Sequence, residues 1–152
     1  MYQAILFFHS TVRWFVLISL VFAIFKAYKG YIAKTTFSKT DNLIRHWTAT
    51  LAHIQLMIGI LLYAQSPIIK YFWSNFKEAI QEIDTFFFGL IHLILMTIAI
   101  LFITLGSAFA KRKQTDQAKF KTMLLWFSIA LFIIFIAIPW PFSPLANRPY
   151  FR

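Results

Sequence analysis

Residues 86–109 read FFFGLIHLILMTIAILFITLGSAF, an unbroken run without one charged side chain. A bilayer core about 30 Å thick is crossed by a helix of about 20 apolar residues, because lipid offers backbone N–H and C=O groups no partner and a helix bonds all of its own. The run exceeds that need and reads as a transmembrane helix. Working outward, three further stretches have the same character. Ile5 to Phe25 is broken only by His9 to Thr11, Arg13 and Ser19; the others run from about Leu43 to Ala64 and from about Thr122 to Ile138. The expected fold is therefore an all-α integral membrane protein, a four-helix bundle in which residues 1–152 form a single transmembrane domain.

Composition agrees. Of 152 residues 60% are hydrophobic and 13% charged, with mean hydropathy +0.69, against about 45–50% and about 25% in soluble domains. The absence of cysteine excludes disulfides, thiolate metal sites, iron–sulfur clusters and thioether-linked haem. The net charge of +10 sits in short loops between apolar runs, which points to membrane topology and not to nucleic acid.

The connections carry their own signals. Lys26 to Lys39 reads as a polar loop that Gly30 opens, with Thr40 or Asp41 capping the second span by accepting from its first free N–H groups. Pro67 ends that span. Phe72, Phe76, Ala79, Ile80 and Ile83 then recur at helical spacing, which predicts an amphipathic interfacial helix over about 69–83. Asp84 or Thr85 is expected to cap the third span, Thr115 and Asp116 to open the fourth, and Pro139-Trp140-Pro141 to stop it. The first span lacks a basic start and a small-residue cleavage site, so it is expected to be retained.

Lys26, Lys29, Lys34, Lys39 and Arg45 flank the first loop, and Lys111 to Lys113, Lys119 and Lys121 the third, whereas the middle connection holds Lys70 and Lys77 beside three acids. Positive charge marks the cytoplasmic side. Both termini are thus expected on the outer, periplasmic side of a bacterial cytoplasmic (inner) membrane, with Trp14, Trp73 and Trp140 near the outer interface and Trp47 and Trp126 near the inner one.

Ionisable side chains inside hydrocarbon are expensive and mark function by default. They are His9 and Arg13 on the first span, His53 on the second and His92 on the third, while His46 lies at the cytoplasmic edge; the spans themselves carry no Asp or Glu. Carboxylate proton relays and cation sites thus have little to work with, and imidazole is the available chemistry. Imidazoles on separate helices of a bundle suit axial ligation of a haem iron. At about 1.5 Å per residue, His9 and His92 fall within about one turn of each other in depth and His53 lies one to two turns deeper. Two of the three histidines would ligate, as His9 with His92 or His53 with His92. Arg13 would pair with a haem propionate or snorkel to the outer headgroups. Gly89, Ala52 and Gly59 would leave room for a flat macrocycle, and Met57 and Met96 would pack on it.

Several of these residues stand in recognisable surroundings: His9-Ser10 with Arg13-Trp14, Ala52-His53-Ile54-Gln55-Leu56 leading to Gly59 and Tyr63-Ala64-Gln65-Ser66-Pro67, His92, Lys119-Phe120-Lys121-Thr122, and Ile138-Pro139-Trp140. Together they resemble a family of small four-helix membrane proteins of Bacteroidota commonly labelled "cytochrome B". The resemblance covers nearly the whole chain and implies His9, His53 and His92 as the functional histidines. It departs at Ile91, since the family's third-span histidine tends to follow an acid.

The expected function is b-type haem binding with electron transfer between membrane quinone and a partner protein, as a component of electron transport more than a stand-alone enzyme. The competing reading is a non-catalytic accessory or anchor subunit, or a homo-oligomer, whose histidines only hydrogen-bond across helices. A transporter fits poorly without broken helices or paired repeats.

Overall fold

A computed structural model describes residues 1–146 and 148–151, and among them the chain is helical without strands. The order is α1 (Tyr2–Ile32), α2 (Lys39–Gln65), α3 (Pro67–Ser74), α4 (Phe76–Ala79), α5 (Ile83–Phe86), a π-helical turn (Phe87–Ile91), α6 (His92–Arg112) and α7 (Asp116–Ala137). The third span is continuous from Ile83 to Arg112, so four helices are long and apolar enough to cross a membrane. Around the bundle α1 packs against α2 and α7, and α6 against α7 and α2. The seam between α2 and α6 is the sparsest of the four. Alanines 23, 27, 49, 52, 99, 110 and 130 are buried between helices, where small side chains let backbones approach closely. Large side chains such as Phe132, Phe15 and Ile18 face outward to lipid. The protein is a multi-pass membrane protein with a four-helix apolar bundle.

Helix ends differ from the hydropathy limits. α1 continues through Gly30 to Ile32, because a buried ring covers that glycine: a Cβ there would lie 2.3 Å from Phe120 Cζ. The helix closes at Lys34, which has φ 51°, with Thr35 N–H donating to Gly30 O at 3.2 Å. This is the six-to-one bond of a Schellman end, with lysine where glycine is usual. The cap of α2 is Ser38 and not Thr40 or Asp41. Ser38 Oγ accepts from Asp41 N–H, Asp41 Oδ2 accepts from Ser38 N–H at 3.0 Å, and the two form a capping box. Asp41 also pairs with Lys26 of α1 at 3.6 Å. Thr115 caps α7.

The interfacial segment is two short helices and not one. It breaks at Asn75, whose carboxamide donates to Tyr71 O at 3.3 Å, the local side-chain-to-backbone competition that suits Asn to helix ends. Phe72 and Ala79 turn inward, whereas Phe76, Ile80 and Ile83 are exposed. Neither Asp84 nor Thr85 caps the third span. The helix starts earlier, at Ile83 with Glu82 at the cap position; Thr85 Oγ1 donates backward to Ala79 O and Glu82 O, and Asp84 pairs with Arg148.

At the end of the bundle that holds the two loops rich in Lys and Arg, Arg45 is buried. Its Nη1 donates to Ser107 O at 2.9 Å and to Ser107 Oγ, and its Nε and Nη2 donate to Asn42 Oδ1. This ties α2 to α6 where apolar packing between them is thin.

Candidate functional site

The two prolines after α7 shape the site before any ligand is considered. In an α-helix each carbonyl accepts from the N–H four residues on. For Phe135 and Ala137 those residues are Pro139 and Pro141, which have no N–H. Both stranded carbonyls find side chains: Trp140 Nε1–H donates to Phe135 O at 2.8 Å, and His92 Nδ1 bonds Ala137 O at 2.7 Å. A carbonyl only accepts, so His92 Nδ1 carries a proton, and in the neutral ring Nε2 is then the acceptor nitrogen.

The approach to His92 is also unusual. Its backbone N–H reaches back to Phe87 O, the five-residue step of a π turn, a feature that clusters at functional sites. Gly89 in that turn is covered by Phe72, since a Cβ would lie 2.5 Å from Phe72 Cγ. Tyr63 O–H donates to Gly89 O at 2.8 Å and accepts from Trp73 Nε1–H at 3.0 Å. Gly89 therefore makes room for Phe72 and not for a macrocycle.

His9 and His92 face one cavity of about 150 Å³ between α1, α2 and the third span, in the half of the bundle near the chain termini. Arg13, Gln55, Gly59 and Met96 share its wall, Ala52 lies deeper and exposed Ile60 stands at its rim. The ring centroids of His9 and His92 are 6.4 Å apart with planes at 67°. Gly59 lets the His9 ring rest on α2, as a Cβ there would lie 3.3 Å from His9 Cε1. Gln55 Nε2–H donates to His9 O at 2.9 Å and stands 3.3 and 3.4 Å from the two His9 ring nitrogens. Two buried polar atoms on this wall, Gln55 Oε1 and Arg13 Nε, have no hydrogen-bond partner among the described residues.

His53 stands apart. It is exposed on the lipid-facing side, with Nε2 2.8 Å from Thr104 Oγ1. Thr104 spends its own proton on Ile100 O at 2.7 Å, so His53 Nε2 donates. Met57 is likewise exposed, and His46 is exposed beside Trp47. The structure thus brings together His9, Arg13 and His92 with Ala52, Gly59 and Met96, and leaves His53 and Met57 outside.

Two features were not singled out by sequence reasoning. Gln55 has a legible signal, since Ala52, Gln55 and Gly59 share one helical face. The other is the C-terminal segment, which packs on Arg13 and Phe88, two residues of the cavity wall. Arg13 Nη2 donates to Tyr150 O, Trp14 packs on Trp140, Tyr150 and Phe151 at centroid distances of 6.0, 6.1 and 6.0 Å, and Arg148 pairs with Asp84 and lies 4.8 Å over the Phe88 ring.

Two imidazole–metal bonds of about 2.0–2.1 Å, plus about 1 Å of ring on each side, place the centroids of imidazoles sharing a metal about 6 Å apart, close to the 6.4 Å found. Among the described residues no three His, Cys, Asp or Glu converge as a metal cage. The cavity as packed, about 150 Å³, is smaller than the about 300–1,000 Å³ of ordinary ligand pockets, so a macrocycle would enter only if the surrounding helices moved apart. No protein-family model, curated protein or solved structure matches the chain.

Proposed function

We propose that the protein binds b-type haem between His9 and His92 and serves electron transfer between membrane quinone and a partner protein. One observation carries this reading: two imidazoles on facing helices at the spacing of a shared metal, one of them with Nδ1 donated to a carbonyl. That bond orients the His92 ring, presents Nε2 as the ligating atom and raises its basicity, as outer hydrogen bonds do for metal-bound histidine. His9 is steadied by the Gln55 amide and by Gly59. Arg13, one turn along the same wall, would hold a propionate. Haem would supply one-electron redox chemistry, with the bundle setting ligand geometry and dielectric. The resemblance to Bacteroidota proteins labelled "cytochrome B" points the same way. The distribution of Lys and Arg supports an inner-membrane location with both termini outside.

A second reading has its own support. The His53–Thr104 bond and the Gln55–His9 contacts are cross-helix hydrogen bonds of the kind that hold an accessory subunit together. The discriminating experiment is a pyridine haemochrome assay on protein purified in mild detergent from haem-replete cells. Stoichiometric haem supports the first reading, and a folded, colourless protein that retains its partners supports the second.

A further inference from the structure

We propose that the C-terminal segment and a ligand carboxylate compete for the same face of Arg13, so that ligand entry releases the segment from Arg13. The inference rests on the cavity being a ligand site, whichever ligand it takes. A guanidinium offers a carboxylate a side-on pair of parallel donors, Nε–H and the Nη2–H beside it. In the structure this face is half used. Nη2 donates to the backbone carbonyl of Tyr150, while Nε is buried with no partner among the described residues, and Arg13 lines the cavity.

A carbonyl has one oxygen and satisfies one donor. A carboxylate has two and is charged, so it engages both Nε and Nη2 and displaces Tyr150. Tyr150 also rests on the Trp14 and Trp140 rings and Phe151 on Trp14, and Arg148 is anchored on Asp84 and Phe88. Losing the Arg13 contact loosens residues 149–151, which then keep only ring contacts, while the Arg148 anchor persists. The segment is a strap whose latch is the residue that recognises the ligand. The ligand chemistry is a carboxylate on an apolar body, either a macrocycle propionate or a fatty acid.

The test reads chymotrypsin cleavage after Tyr150 by mass, on the full chain in detergent. In haem-free protein, dodecanoate is expected to speed this cleavage by roughly tenfold or more, the factor for losing a hydrogen bond to a charged group, and methyl dodecanoate to leave it unchanged. Haem is expected to speed it and haem dimethyl ester not. In Arg13→Lys, which has one donor point and no side-on pair, acid and ester should act alike. An effect of dodecanoate in protein that takes up no haem upholds the strap and removes the haem reading. An effect confined to haem over its ester upholds the strap and assigns the carboxylate to the macrocycle. Equal cleavage with acid and ester in both pairs overturns the proposal.

Discussion

Replacing Gly89 with alanine tests how the site is built. A Cβ at this position would lie 2.5, 2.6 and 2.7 Å from three ring atoms of Phe72, whereas ordinary carbon contacts are about 3.5–4.0 Å. The ring must retreat by about 1 Å. It has little freedom to do so, being fully buried and packed at 5.2 Å on Trp73 and 5.4 Å on Phe76. Overpacking of this kind costs about 1–3 kcal/mol, or roughly 5- to 150-fold in the folding equilibrium. The assay is reversible unfolding in mixed micelles on addition of dodecyl sulfate, followed by far-ultraviolet circular dichroism. Phe72→Leu should destabilise the wild type but rescue part of the loss in Gly89→Ala, because the shorter side chain clears the new methyl. A Gly89→Ala protein within about 0.5 kcal/mol of wild type, or a Phe72→Leu cost identical in both backgrounds, refutes the packing argument.

Two further substitutions probe the frame in the same assay. Lys34→Gly should stabilise by a few tenths to about 1 kcal/mol, because a left-handed residue with a Cβ costs about 1–2 kcal/mol and glycine's extra chain entropy returns about 0.5–1 kcal/mol of it; a net loss would contradict the Schellman end at φ 51°. Arg45→Met should destabilise by about 1–3 kcal/mol by stranding the buried Ser107 hydroxyl, and an unchanged midpoint would show that the Arg45 bonds do not hold α2 to α6.

The spans were legible because lipid enforces a simple rule: a long apolar run must satisfy its own backbone, and residues 86–109 allow nothing but a helix. Helix ends were less legible, since hydropathy marks where side chains meet lipid and not where hydrogen bonding stops. Gly30 reads as a breaker until the Phe120 ring packed on it is seen, and a continuous stripe from Phe72 to Ile83 conceals the break at Asn75. Thr40 and Asp41 are good capping residues in isolation, yet Ser38 with Asp41 satisfies two backbone donors at once.

Within the site, His9, Arg13 and His92 stand out as polar groups in apolar runs, and their shared cavity follows from depth counting along facing helices. His53 has the same signature but the opposite face, because only its angular position around α2 separates it from Gln55. Pro139 and Pro141 read as a stop signal. That they also strand the carbonyl which orients His92 is implicit in the four-residue helical step, but becomes visible only when the third span is placed beside α7. The docking of Tyr150 and Arg148 has no local pattern at all, since it depends on residues more than 60 positions away in Asp84 and 137 away in Arg13.

The most direct measurement is a reduced-minus-oxidised visible spectrum of the purified protein beside its His9→Ala, His92→Ala and His53→Ala variants, all checked for folding by circular dichroism. The account predicts a sharp α-band of a bis-histidine b-type haem in the wild type and in His53→Ala, lost or shifted in His9→Ala and His92→Ala. A folded wild type with no absorbing group, or a band that survives both His9→Ala and His92→Ala unchanged, would contradict it.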